Sequence, residues 1–223
     1  IRDRVGVVKD SCPFSFFFIT NSLTKNMATL TSQLEAVNTC LGYLGEAPVN
    51  SISNTSELPV SAANAVSILD EVSREVQSEG WHFNTVKEYV LSPTNNSITL
   101  PTNTLQVDHE GTENVDLVQR GLSLYDRKNQ TTTFTNDIKV TIVLLLDWDD
   151  LPEQARRYIA LRATRSLQSR LVGSRELEAL IIRDEFAAKA NLERSDSANS
   201  DRTIFDNFDA VTRIGINRNY DLY

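Results

Sequence analysis

The feature that most constrains the fold of this 223-residue chain is a double change in hydrophobic period. Apolar residues follow a helical repeat over residues 32–80 and again over 152–194. Between these blocks, residues 81–146 alternate apolar and polar side chains in short runs separated by turn residues. This order predicts an α+β fold that is mainly α, in which a four-helix bundle carries a small inserted antiparallel β domain and has extended N- and C-terminal arms.

The predicted segments follow these changes of pattern. They are an N-terminal arm or extension at 1–31, the first half of the bundle at 32–80, the β insertion at 81–150, the second half of the bundle at 151–194, and an extended C-terminal tail at 195–223. Ser32 and Glu35 predict a capping box for the first helix, and Ser61 is expected to open the second. The strands are expected at 86–91, 97–100, 104–108, 115–119, 122–125 and 138–146, with turns at Asn95-Asn96 and Asn129-Gln130.

The origin of the first residues is left open by the sequence. The only methionine, Met27, is followed by residues typical of a protein start that leads into a helix cap. Residues 1–26 are therefore either an arm that docks on a neighbour or read-through upstream of the start; a short apolar run at 16–19 makes a secretory signal the weakest alternative.

Composition removes several function classes. The net charge of −8 argues against a generic nucleic-acid binder, and no apolar run approaches the ~18 residues that a membrane span needs. The chain contains no paired-cysteine motif and no His-Glu-x-x-His motif of the kind that binds a metal. The chain also lacks a Gly-rich phosphate loop and a nucleophile elbow. We therefore expect neither an enzyme nor a bound cofactor or metal.

The third helix carries the strongest charge signal. Its basic side chains include Arg156, Arg162, Arg165 and Arg170, which spread over half of the helix circumference. This spread favours salt bridges, within or between subunits, to the acidic side chains of residues 28–151. The alternatives are contact with DNA and a face that is only solvated. Just before this helix, Asp147, Asp149 and Asp150 are interpreted as a charged helix start, with a metal-dependent hydrolase as the alternative.

Three further groups of residues are candidates for contacts. The fourth helix has a second apolar ridge that includes Ile182 and Phe186. A helix that is apolar on two sides is expected to pack on two sides, so a neighbouring subunit would cover the ridge. Aromatic residues of the tail are expected to wrap adjacent subunits: Phe205, Phe208 and Tyr220. The segment with Trp81, Phe83 and Asn84 is expected to be a structural junction that fixes the sheet against the bundle.

Four motifs in this order resemble the tail tubular protein A family, the head-to-tail adaptors of short-tailed phages. They are LGYLGEAPV at residues 41–49, QSEGWHFN at 77–84, LYDR at 124–127 and DWDDLP at 147–152. The similarity covers residues 33–192, with 77–84 as its most specific part. Residues 1–26 match nothing in the family, and the tail after 195 matches it only loosely.

The resemblance implies a structural virion protein at the head–tail junction, present in the host cytoplasm during assembly. It implies a ring, expected to contain twelve subunits, that binds the portal protein above and a tail nozzle of the tail tubular protein B type below. Tail fibres are expected on its outside, and DNA would pass through the channel without specific binding. The alternative function is a helical DNA-binding protein that uses the arginine-rich helix.

Overall fold

The computed structural model describes residues 30–109 and 115–200. In this part of the chain, four α-helices frame five strands. The helices are α1 (Gln33–Leu44), α2 (Val60–Gln77), α3 (Glu153–Leu171) and α4 (Arg175–Asn199). The strands between α2 and α3 are β1 (Thr85–Leu91), β2 (Thr104–His109), β3 (Leu117–Arg120), β4 (Ser123–Asp126) and β5 (Ile138–Leu144). The predicted α+β class, mainly α, is confirmed.

The ends of α1 are set by the residues that the sequence pattern identified. The Ser32 hydroxyl accepts a hydrogen bond from the Glu35 N–H at 3.2 Å, and the Glu35 carboxylate accepts one from the Ser32 N–H at 2.8 Å. This reciprocal pair satisfies two of the amide groups that a helix start leaves free. Gly45 ends the helix with φ of 75°, a left-handed conformation that glycine adopts without strain.

Helix α3 lies at the centre of the bundle and packs against α1, α2 and α4. Its buried side chains point in all these directions and include Tyr158, Ile159, Leu161 and Leu167, each at most 1% exposed. Burying a side chain of this size contributes about 1.5–3 kcal/mol relative to leaving it in water. The residues between α2 and α3, which include the five strands, therefore form an insertion outside the helical core.

The strands form two small antiparallel sheets with a core of their own. One sheet has the order β1-β5-β2, and β3 pairs with β4 across a tight turn. A bulge interrupts β1 between Val86 and Tyr89. The predicted turn at Asn95-Asn96 is confirmed, since both residues have positive φ and Thr94 and Ser97 exchange two backbone hydrogen bonds. The buried residues of the sheets form one cluster and those of the helices another, so the two parts meet only at a limited junction.

Several boundaries differ from the sequence prediction. The strand expected at 115–119 is observed at Leu117–Arg120, and the strand expected at 138–146 ends at Leu144. Residues 97–100 make only isolated bridges, because the Asn95-Asn96 turn before them and Pro101 after them leave too little length for a ladder. Helix α2 begins at Val60 with Pro59 in the capping position, so Ser61 is not its first residue. Helix α4 runs to Asn199, and the prediction of an extended chain for residues 195–199 was therefore wrong.

The tail aromatics Phe205, Phe208 and Tyr220 and most of the predicted N-terminal arm lie outside the described residues. In the two described ranges, no helix has the length and hydropathy needed to cross a membrane. The division into five segments stays a prediction.

Candidate interaction surfaces

The junction between bundle and sheet is built around the side-chain amide of Asn84. Asn84 is 2% exposed, and its Nδ2 donates to the carbonyl oxygens of Gln77 at 2.8 Å and Leu144 at 3.1 Å. Its Oδ1 accepts from the Trp81 N–H at 2.9 Å. One amide thus ties together the end of α2, the end of β5 and the segment that links them. Every polar atom of this side chain is used inside the protein, which is typical of a structural role.

A second amide, that of Gln77, completes the junction. Its Nε2 donates to the Leu146 carbonyl at 3.1 Å, and its Oε1 accepts from the Leu146 N–H at 2.7 Å. Gln77 is fully buried although its side chain is polar. No local signal identifies it, because the bond that makes it structural spans 69 residues.

The two aromatic residues of the junction pack against the helical core. Trp81 is 8% exposed, and its indole N–H donates to the Val76 carbonyl at 2.8 Å. Phe83 is half-buried against the same core. Between them, His82 is exposed, and its backbone N–H donates to the Asp196 carboxylate near the end of α4 at 2.6 Å. The segment therefore anchors the sheet to both α2 and α4.

Arg156 is an internal clamp and not a surface residue. It is 3% exposed, and its guanidinium donates to the carbonyl oxygens of Leu151, Thr31 and Asp149 at 2.8, 2.9 and 2.6 Å. A planar group with five donors suits three carbonyls that converge from different segments. This burial removes Arg156 from the candidate contacts with another subunit or the portal.

Three of the other four arginines of α3 form ion pairs within the subunit, and the fourth, Arg157, is exposed. Arg162 pairs with Glu75 and, at 3.7 Å, with Glu79. Arg165 lies 2.8 Å from the Glu185 carboxylate on α4. Helix α3 is thus bonded to the helices on both sides of it.

The Arg170 guanidinium binds both oxygens of Glu71, at 3.0 and 3.1 Å. Its hydrogen bonds lower the pKa of the Glu71 carboxyl and raise that of Arg170. Three arginines of α3 therefore neutralise carboxylates of α2 and α4, and Arg156 is buried, which leaves Arg157 as the exposed arginine of α3 outside these pairs. One such cation falls short of the basic face by which a helix contacts the phosphates of DNA.

The outer face of α4 exposes large apolar side chains. Ile181, Ala188 and Leu192 are buried against the bundle, whereas Phe186 is 75% exposed and Ile182 is 44% exposed. Leu180 is also exposed, at 57%. A phenylalanine that leaves three quarters of its surface in water gains little from the fold of its own subunit. Coverage of this ridge by another subunit stays a prediction.

Basic side chains surround this apolar ridge. Arg175, Arg183 and Arg194 are all exposed on α4, and none of them forms an ion pair with any residue in the ranges 30–109 and 115–200. They differ in this respect from the arginines of α3. The salt bridges predicted for the arginines of α3 are thus present within the subunit for Arg162, Arg165 and Arg170.

An acidic cleft with a volume of about 420 Å³ lies between the start of α1, α2 and the segment that joins β5 to α3. Its polar lining includes Asp70, Asp147 and Asp149, with Arg74 as its one basic residue, and Leu145, Leu146 and Trp148 form its apolar part. Partial burial raises the pKa of the Asp70 carboxyl, and the nearby Arg74 offsets this only in part. The cleft is thus a negatively charged pocket with a half-buried tryptophan in its wall.

The aspartates of the cleft do not assemble a metal centre. Asp149 and Asp150 lie in the short turn Trp148–Asp150 immediately before α3. Across the described residues, no group of three histidine, cysteine or carboxylate side chains is placed to hold a metal ion. The acidic residues at this position are the start of a helix, as the charge pattern indicated.

Comparison with known proteins identifies the family. A family model described as tail tubular protein matches residues 34–202, a span that begins in α1 and continues past α4. Tail tubular protein A of Klebsiella phage KP34 is 36% identical to this chain over 128 residues, which is 57% of this chain and 67% of that protein. The resemblance inferred from the four motifs is confirmed. The chain therefore belongs to the tail tubular protein family, and it is a structural component of a bacteriophage tail.

Proposed function

We propose that this protein is a head-to-tail adaptor, which forms a ring between the portal protein and the tail nozzle around the channel for DNA exit. The ring is expected to contain twelve subunits, to bind tail fibres on its outside, and to act without catalysis. It would assemble in the host cytoplasm and reside at the head–tail junction of the virion. The observation that carries the proposal is the exposed apolar ridge of α4 at Ile182 and Phe186.

The size of this ridge supports assembly rather than a stable solitary subunit. Helix α4 has 25 residues, so it is about 37 Å long, and one face about 10 Å wide offers roughly 370 Å². A standard stable interface buries about 800 Å² on each partner. The ridge alone therefore predicts weak self-association, which a template such as a portal ring would strengthen by presenting many copies together.

Charge supports the passive role towards DNA. The chain has a net charge of −8, and the arginines of α3 are paired with carboxylates. Tight binding of a duplex requires cations that displace the counterions of its phosphates. A surface of this composition lets DNA pass without holding it, and we expect duplex affinity to be negligible at physiological salt.

Electron microscopy tests the proposal. The purified full chain would be imaged alone and after mixing with portal rings of the same phage. Rings, or an added layer below the portal, are the expected result and would also give the subunit number. A folded chain that forms no ring and leaves the portal unchanged would refute the adaptor role. Salt-sensitive duplex binding that falls when Arg162 and Arg165 become Glu would instead support the DNA-binding alternative.

A further inference from the structure

The molecule carries two surfaces of opposite character that share no residue. One is the outer face of α4, where the apolar side chains of Ile182 and Phe186 lie beside Arg183. The other is the acidic cleft formed by the start of α1, α2 and the residues that precede α3. Helix α4 contributes nothing to the lining of the cleft. Because the surfaces are different and separate, one molecule can present each of them to a different neighbour.

Their chemistry is complementary in both charge and polarity. The cleft has three carboxylates against one guanidinium and an apolar wall with Trp148. The α4 face has an exposed aromatic ring with an unpaired arginine three residues before it. Interface hot spots are commonly an aromatic or arginine side chain that enters a pocket on the partner. A volume of about 420 Å³ lies in the range of pockets that enclose small ligands, so it can admit side chains of this size.

The electrostatics of the cleft favour a cationic occupant. Burial raises the pKa of the Asp70 carboxyl, which means that its ionised form is insufficiently stabilised by its present neighbours. Asp70 accepts a hydrogen bond from the Gln33 side chain at 3.2 Å, a neutral donor. A guanidinium placed against Asp70 and Asp147 would supply the missing stabilisation.

We propose that the outer face of α4 of one subunit docks in the acidic cleft of the next copy of this chain, with Phe186 against Trp148 and Arg183 facing Asp70 and Asp147. The inference rests on the proposed function, since it names the surfaces through which the ring closes. Contact between two unlike surfaces is heterologous, and such contacts repeat around a ring when the rotation closes. A two-fold dimer through α4 alone is the arrangement that this proposal excludes.

Two variants separate the surfaces. Phe186→Asp disables the α4 face and leaves the cleft intact, whereas Asp70→Arg disables the cleft and leaves α4 intact. Both positions are exposed, so neither change disturbs the core. Val60→Asp is the matched control, because Val60 is 77% exposed but lies at the start of α2, away from both surfaces. Circular dichroism would establish that each variant is folded.

Sedimentation and native mass spectrometry of the full chain give the readout. We expect each surface variant to weaken self-association about thirtyfold, as loss of a hot-spot residue does, while the Val60 variant associates like the wild type. An equimolar mixture of the two surface variants should form a one-to-one dimer and no larger species, because each partner retains one working surface. This outcome is specific to a heterologous contact.

The results distinguish this inference from the adaptor role. Wild-type rings together with unimpaired assembly of both variants would refute the docking and leave the adaptor role standing. The absence of a heterodimer in the mixture would also refute the docking. Loss of association in both variants, in a protein that forms no ring with the portal, would support the docking and refute the adaptor role. Failure of the wild type to self-associate under any condition would refute both.

Discussion

Replacement of Asn84 provides the sharpest test of how the sheet is held on the bundle. Asn84→Ala removes three hydrogen bonds and leaves the Trp81 N–H and the carbonyls of Gln77 and Leu144 without this partner. Each bond contributes about 1 kcal/mol net, and an unsatisfied buried group costs about 1–3 kcal/mol. The site is 2% exposed, so water replaces the amide poorly. We expect a loss of about 3 kcal/mol in the free energy of unfolding.

Asn103 offers a matched control within the same region. Its Nδ2 donates to the Leu145 carbonyl at 3.0 Å, next to the end of β5, but Asn103 is exposed. Water can take over this bond, and Asn103→Ala is expected to cost less than about 0.5 kcal/mol. The comparison contrasts a buried amide that makes three hydrogen bonds with an exposed amide of the same residue type that makes one.

The isosteric variant Asn84→Asp tests whether the Asn84 side chain donates hydrogen bonds to the Gln77 and Leu144 carbonyls. Its carboxyl would place an oxygen where Nδ2 now faces two carbonyl oxygens, so both burial and repulsion raise the pKa of the new group in the folded state. Below the unfolded-state pKa of about 4, the protonated carboxyl can still donate one hydrogen bond. As pH rises above that value, the unfolded state releases its proton first. The free energy of unfolding of Asn84→Asp should therefore fall relative to wild type as pH rises from about 4 to the folded-state pKa of the new carboxyl, and stay constant above it.

Urea unfolding followed by fluorescence measures these effects. The chain has two tryptophans, Trp81 and Trp148, and both pack against the helical core, so fluorescence reports on the bundle while circular dichroism reports on all elements. Equal midpoints for the Asn84 and Asn103 alanine variants would refute the structural role of the buried amide. A stability difference between Asn84→Asp and wild type that does not change with pH would refute the bonding direction.

Three further predictions follow from single side chains. Burial raises the pKa of the Cys40 thiol, although its hydrogen bond with Thr164 acts in the opposite direction. Iodoacetamide should therefore leave Cys40 unmodified in the folded protein and label it in urea. Peptide mapping would show the difference. Arg156→Met should lower the free energy of unfolding by about 3–4 kcal/mol, because three carbonyls lose a charged donor. Arg157→Met, at the exposed neighbouring position, should change it by less than about 0.5 kcal/mol. Similar urea midpoints for the two variants would contradict this prediction. Burial alone would raise the pKa of Asp126, but hydrogen bonds from Asn129 and from nearby backbone N–H groups outweigh it and lower the pKa. The stabilising effect of the Asp126 carboxylate is therefore present above pH ~4 and lost as pH falls through its folded-state pKa. The stability difference between wild type and Asp126→Asn should accordingly shrink in acid. A difference that stays constant with pH would contradict this prediction.

Local signals in the sequence were sufficient for most of the fold. The capping box at Ser32 and Glu35 and the alternation that begins at 138 each involve neighbours within a few residues, and both features are confirmed, although the strand ends at Leu144 and not at 146 as predicted. The turn at Asn95-Asn96 was also predicted, because only a few residue types adopt positive φ readily. These features depend on the chain's own backbone preferences and need no knowledge of tertiary packing.

Long-range bonds account for what the sequence could not show. Gln77 and Arg156 look like ordinary polar residues of amphipathic helices, yet both are buried by partners that lie far away in the chain. Burial of an amide or guanidinium is tolerable only when its partners are in place, and the partners are known only once the fold is known. The extension of α4 to Asn199 has a similar origin, since Asp196 in its last turns binds the His82 N–H.

The distribution of arginine between α3 and α4 determines how much of the basic charge remains exposed. The basic excess of residues 152–194 reads as one feature in the sequence. In the structure, α3 lies in the centre, where its arginines must be matched by carboxylates because unpaired charge is costly inside a bundle. Helix α4 lies at the edge, where Arg183 can remain unpaired in water. The charge left over after internal pairing, and not the total charge, is what a partner can recognise, and the proposed contact through α4 depends on this remaining charge.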